Sequence, residues 1–145
     1  MFLGEYEHSL DPKGRLAIPV RFRALLGEGA VITRAFDGCL VIYPADVWRT
    51  VAEKLDSLST TQEAARMAKR FVFSGATECE FDRQGRVLVP AFLRNYAGLT
   101  ETAVVVGQYS RIEVWDRDRW AEISARAEVE STRIAEQLAS LGLEI

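Results

Sequence analysis

The sequence predicts an α+β fold: a pseudo-twofold β-structure built from two duplicated halves, with helices after each half. Three observations carry this. The phrase DPKGRLAIP, Asp11 to Pro19, returns as DRQGRVLVP, Asp82 to Pro90, with Asp, Gly, Arg and Pro each in place. The correspondence continues past the phrase, over about 45 residues, so the copies span 5–48 and 76–120. Apolar residues at helical spacing follow each copy, in 44–57 and again after Asp116.

Each copy reads in the same order. A short strand with partial alternation comes first, Glu5 to Leu10 and Ala76 to Phe81. The Asp-x-x-Gly stretch then suits a type I turn followed by a residue of positive φ: Asp11 or Asp82 bonds back to the backbone, Pro12 presets the second position, and Gly14 or Gly85 takes the left-handed one. Arg15 or Arg86 opens a return strand, Leu16 to Ile18 or Val87 to Val89, that ends at Pro19 or Pro90. A helix over Val20–Leu26 follows, with Phe22, Leu25 and Leu26 on one face and Gly27 closing it. A second strand pair comes next, and in the first copy Asp37-Gly38 makes its turn. Between the copies, helices are expected over 44–57 and 61–70; after the second, Asp116 caps one helix running to Leu141, with Ile123, Ala127, Ile134, Leu138 and Leu141 as its apolar stripe. A single copy could bury little, since isolated hairpins are marginal in water, whereas two copies can close one another's sheets.

At 145 residues and 48% hydrophobic, the chain can build one ordinary core. The longest apolar run, Ala103 to Val106, is far too short for a bilayer, and MFLGEYEHSL has acids where a signal peptide has bases, so a cytoplasmic protein is expected. Charge is unevenly placed. Segment 11–23 carries four cations against one carboxylate, +3, and segment 82–94 three against one, +2, so the remainder holds −8 of a total of −3. Enzyme signatures are missing. His8 is the only histidine, and its neighbour Ser9 would lie on the opposite face of a strand. No phosphate-binding glycine pattern occurs, and Cys39 and Cys79, forty residues apart, read as two buried thiols. The reading is of a non-enzyme without cofactor or metal.

The two phrases Asp11-Pro-Lys-Gly-Arg15 and Asp82-Arg-Gln-Gly-Arg86, the opening MFLGEYEHSLDPKGRL, the junction SGATECEFDRQGR and the stretch VVVGQYSRIEVWDRDRW together resemble the MraZ family of bacterial transcriptional regulators, over essentially the whole chain. The resemblance implies AbrB-like swapped-hairpin halves, 5–48 and 76–120, each contributing one DxxxR motif. It further implies assembly of several chains into a homo-oligomeric ring, and binding of double-stranded DNA upstream of the protein's own operon in the division and cell-wall gene cluster, hence a cytoplasmic protein associated with the nucleoid.

By that resemblance Arg15 and Arg86 are the principal DNA-reading residues, and a guanidinium fork can engage guanine O6 and N7 as a bidentate pair. Lys13 and Arg83, in the same loops, are placed to hold phosphates. Asp11, Gly14, Asp82 and Gly85 shape the loops, because a carboxylate beside phosphate is repulsive. Gln84 stands opposite Lys13 and Arg83 opposite Pro12, so the loops are expected to meet DNA unequally. Other readings compete. Arg15 and Arg86 could simply pair with Asp11 and Asp82; Arg21 and Arg23 could be a solvated helix face; Tyr43, Trp48, Trp115 and Trp120 read as core packing rather than base stacking. At the level of function the alternatives are an AbrB-like antitoxin and a ring scaffold or partner-binding protein that touches no nucleic acid.

Overall fold

A computed structural model describes residues 1–145. Eight strands and six α-helices follow one another along the chain: β1 (Glu5–Ser9), β2 (Arg15–Ala17), α1 (Val20–Leu26), β3 (Val31–Arg34), β4 (Leu40–Tyr43), α2 (Ala45–Asp56), α3 (Glu63–Gly75), β5 (Thr77–Glu78), β6 (Arg86–Leu88), α4 (Ala91–Ala97), β7 (Thr102–Gly107), β8 (Ile112–Asp116), α5 (Arg117–Val129) and α6 (Ser131–Ser140).

Local signals set most element ends. Pro19 and Pro90, at φ −50° and −55°, start α1 and α4. Gly27 and Gly98 end these helices with positive φ. Asp37 and Gly38, both at positive φ, turn β3 into β4. Asp116 caps α5, its Oδ2 accepting the Arg119 N–H at 3.1 Å.

β3 with β4 and β7 with β8 close as local hairpins, but the strands flanking the repeated phrases do not. β1 and β2 share only the bridge Leu10↔Leu16, and β2 pairs instead with β6 across the two halves, in the register Arg15↔Leu88, Leu16↔Val87, Ala17↔Arg86. A twofold therefore passes between Leu16 and Val87. The large antiparallel sheet has the order β1-β7-β8-β4-β3-β5, which reads the same from either edge once the copies are equated. Its centre is Val41↔Glu113, where β4 meets β8. Tyr6↔Val105 on one side answers Ile32↔Thr77 on the other.

One core joins the halves. Leu16, Ile18, Phe22 and Leu26 meet their copies Val87, Val89, Leu93 and Ala97 over the inward side chains of the sheet, Ile32, Leu40, Ile42, Val105, Ile112 and Val114. On the other face of the sheet Cys39, Val104, Val106 and Trp115 are covered by Trp120 and Ile123 of α5. The aromatic pairs repeat as well, Tyr43 with Trp48 at 5.7 Å between centroids and Trp115 with Trp120 at 5.9 Å, and Tyr43 and Trp115 are buried.

Four details differ from the sequence reading. Leu25 is 46% exposed, because the short α1 meets the core only through Phe22 and Leu26. Helix α3 continues past Arg70 to Gly75, held where Thr33 Oγ1 donates to Val72 O and Arg34 Nε to Phe71 O. The first strand of the second copy shrinks to two residues, Thr77–Glu78. The terminal helix breaks at Glu130, whose carboxylate draws in Arg133 at 3.0 Å.

Candidate functional site

The two repeated phrases form two turns, one at each end of the three-residue β2–β6 ribbon, which is short enough to keep them close. In the first, Asp11 Oδ1 accepts the backbone N–H groups of Lys13 and Arg15 at 2.9 and 2.8 Å, and Oδ2 accepts Arg15 Nε at 2.8 Å. In the second, Asp82 Oδ1 accepts Gln84 N–H and Arg86 N–H, both at 2.9 Å, and Oδ2 accepts Arg86 Nε at 2.9 Å. Gly14 and Gly85 donate to the Asp11 and Asp82 carbonyls, both at 3.0 Å, and take φ +86° and +74°. Each Asp thus closes its turn and clamps the inner nitrogen of its arginine. The Arg15 N–H bond foremost, with the Arg15 side chain, holds the Asp11 carboxyl below its ordinary value of 3.8 despite the partial burial that opposes it. Arg86 does the same for Asp82, again mainly through its backbone N–H.

One contact breaks the symmetry. Arg86 Nη1 also reaches Asp11 Oδ2 at 3.3 Å, and Arg15 makes no matching ion pair with Asp82. Lys13 and Arg83 are exposed and carry no carboxylate partner.

The loops rest on Arg23, which the sequence reading left open as part of a solvated face, and on its counterpart Arg94, to which that reading gave no role. Arg23 of α1 donates from Nε to Ile18 O at 3.1 Å, and its guanidinium lies where a Cβ on Gly85 would stand. Arg94 of α4 donates to Val89 O at 3.0 Å, and its Nε would lie 2.6 Å from a Cβ on Gly14. The helix of each half therefore supplies the floor of the other half's loop. Backbone bonds cross in the same sense: Ile18 N–H donates to Gly85 O at 3.3 Å and Val89 N–H to Gly14 O at 2.9 Å. Arg23 is thus half-buried and engaged, not part of a solvated face, whereas Arg21 is exposed. The signal was present in the sequence: Arg23 and Arg94 each stand four residues after their Pro, and lie 71 residues apart, as the two loops do.

Chemically the arrangement is a projecting basic surface. Arg15, Arg23, Arg86, Arg94, Lys13 and Arg83 belong to or underlie these loops with their two carboxylates, and the clefts beside Arg34, Glu5, Ser9, Met67 and Thr100 are lined by no residue of either loop. No cluster of three or more His, Cys, Asp or Glu side chains is placed to hold a metal, and no helix is long and apolar enough to cross a membrane. Burial pushes the Cys79 thiol up to about 12 and that of Cys39 higher still, so neither is a ready nucleophile at neutral pH.

The family described as "MraZ protein, putative antitoxin-like" matches the chain twice, over residues 1–71 and 72–141. The chain is 52% identical over 143 residues to a protein of Desulfitobacterium hafniense (strain Y51) named "Transcriptional regulator MraZ", covering 99% of this chain and 100% of the relative. Proteins of the same name from Heliobacterium modesticaldum, 48% identical over 143 residues, and Pelotomaculum thermopropionicum, 49% identical over 145, are also covered in full, by 99% and 100% of this chain.

Proposed function

Because the chain belongs to the MraZ family, we propose that it is a sequence-specific transcriptional regulator that grips double-stranded DNA with the paired loops 11–15 and 82–86. The observation that carries this reading is the pair of matching Asp–Arg clasps, in contact through Arg86 and Asp11, in the two basic segments of an otherwise acidic chain. With Nε held by Asp11, Arg15 has both terminal nitrogens available for guanine O6 and N7. Arg86 shares one terminal nitrogen with Asp11 and keeps the other. Lys13 and Arg83 take phosphates, and Arg23 and Arg94 hold the loops at their spacing from beneath. Pre-set loops of this kind lose little side-chain entropy on binding.

The inequality of the loops gives one chain a direction along DNA. Chains joined into a ring repeat that direction by rotation, so the site is a set of short, guanine-containing direct repeats about one helical turn apart, on the order of 10 base pairs. The place for such an array is the region upstream of the protein's own operon in the division and cell-wall cluster, and the protein acts in the cytoplasm at the nucleoid. Footprinting of that region, followed by inversion of one element, tests the reading. Inversion is expected to lower affinity, and one element alone to bind more weakly than the array. Unchanged affinity on inversion, or a lone element that binds as tightly as the array, overturns it.

A further inference from the structure

The outward face of the β2–β6 ribbon differs between its two ends. Leu16 and Val87, opposite each other at its centre, are fully buried. Side chains alternate along a strand, so Arg15, Ala17, Arg86 and Leu88 share the other face. The register sets Leu88 directly opposite Arg15, and Ala17 directly opposite Arg86. Val89 N–H donates to Gly14 O at 2.9 Å and Ile18 N–H to Gly85 O at 3.3 Å. The pairs next inward, Arg15 with Leu88 and Ala17 with Arg86, therefore take the non-hydrogen-bonded places of the ladder, where facing side chains stand closest. Leu88 is 52% exposed there.

A leucine has nothing to offer a phosphate, which is held by N–H groups, hydroxyls and cations. A two-stranded ribbon fits the major groove, and the apolar group that base edges display there is the C5-methyl of thymine. In the reading above, Arg15 turns its terminal nitrogens to guanine O6 and N7. Facing Cβ atoms in such a strand pair lie about 4.5–5.5 Å apart, against about 3.4 Å between stacked bases. A leucine beside a guanine-reading arginine thus meets the adjoining base. Ala17, beside Arg86, ends at its Cβ and falls short.

We propose that Leu88 is a specificity-determining residue: it packs on the C5-methyl of a thymine adjoining the guanine that Arg15 engages, and the second loop, with Ala17 in that place, makes no such contact. The inference rests on the reading of loops 11–15 and 82–86 as the elements that grip DNA. Each element is then read as thymine with guanine at the first loop and as guanine alone at the second. The chain gains a direction along DNA that does not depend on the charges of Lys13 and Arg83. Burial of one methyl-sized group changes affinity about fourfold.

The test uses the full chain and a short duplex carrying one footprinted element, synthesised with deoxyuridine in place of one thymine at a time. That change removes a methyl group and leaves every base hydrogen bond in place. In fluorescence anisotropy, wild-type affinity is expected to fall about fourfold at one thymine that adjoins a guanine. Leu88→Ala is expected to bind the thymine duplex more weakly by a similar factor, and to bind the uracil duplex no more weakly than that, with far-UV circular dichroism as the check on folding. A wild type indifferent to the change at every thymine overturns the inference, and that result needs no variant. A folded Leu88→Ala that still prefers thymine as the wild type does overturns it too. Arg15→Ala on the same duplexes reports separately on the loops. Wild-type affinity in that variant sinks the loop reading, whereas weakened binding beside a wild type that ignores the methyl sinks the role of Leu88 alone.

Discussion

Loops 11–15 and 82–86 repeat one another bond for bond to within 0.1 Å in their Asp contacts, yet Arg86 holds two carboxylates and Arg15 holds one. The comparison separates what the duplication keeps from what it releases. Kept are the residues that fix backbone shape: Asp for the turn, Gly for positive φ, Arg for the clasp, and an arginine from the opposite helix for the floor. Released are the two positions between Asp and Gly, where Pro12-Lys13 faces Arg83-Gln84. A mismatch there changes the charge on offer without touching the turn, since only the backbone N–H of Lys13 or Gln84 is engaged.

The largest effect is expected where the loops are most alike. Gly85→Val places a β-branched residue at φ +74° and drives its Cβ into the Arg23 guanidinium, and Gly14→Val does the same against Arg94. Strain and overpacking together should cost about 2–4 kcal/mol in either variant, read from urea unfolding. Lys13→Ala should leave the same midpoint unmoved. If Gly14→Val unfolds with wild-type stability, the crossed floor is not what holds the loop.

The arginines themselves should separate binding from stability. Arg15→Ala and Arg86→Ala are each expected to weaken DNA binding by about 1–3 kcal/mol in fluorescence anisotropy. Their side chains are 33% and 27% exposed, so the cost in stability should stay within about 1 kcal/mol, with Arg86→Ala the larger because it removes two ion pairs, leaving Asp82 without a cation and Asp11 with Arg15 alone. Equal unfolding midpoints for the two would remove the asymmetry assigned to the contact between Arg86 and Asp11.

Acid should act on both loops in the same sense. A carboxyl whose folded pKa lies below its unfolded value stabilises the fold above that unfolded value, and the contribution fades as pH falls through the folded one. Asp11 and Asp82 are both lowered from 3.8, so their contribution is complete at neutral pH and is lost below about pH 4. Asp11→Asn and Asp82→Asn should each flatten the acid limb of a stability–pH profile, and an unchanged limb would mean that the clasps do not persist in solution. The smallest effect belongs to the unmatched positions. Lys13→Gln should make the slope of log K against log salt shallower by about 0.9, and Gln84→Lys should steepen it by the same amount.

The elements read from sequence were those written in local chemistry. Helix α1 begins at the residue after Pro19 and ends at the residue before Gly27, and the turn glycines carry the positive φ that an Asp-x-x-Gly stretch calls for. Pairing was harder to read. Nothing in the alternation of Leu16-Ala17-Ile18 says whether the partner of Leu16 lies six residues back or seventy-one ahead; the bridge Leu10↔Leu16 and the ladder to Val87 satisfy the same pattern. Arg23 was ambiguous for a related reason. Its helical neighbours place it at the margin of the apolar face, and only the position of the opposite loop decides between solvent and a seat beneath Gly85. The break at Glu130 escaped notice because Ile123 and Ile134 keep helical phase across it.

The pairing of β2 with β6 also governs how the protein comes into being. When Ala17 leaves the ribosome, the strand that will hold it has not been made; Arg86 to Leu88 follow about seventy residues later. At roughly 5–20 residues per second that interval is about 3.5–14 s. Throughout it the first loop has no Arg94 beneath it and the first half has no Val87, Val89 or Leu93 to close its core. The nascent half waits with its apolar face open, and a chain stopped between the copies would be left in that condition.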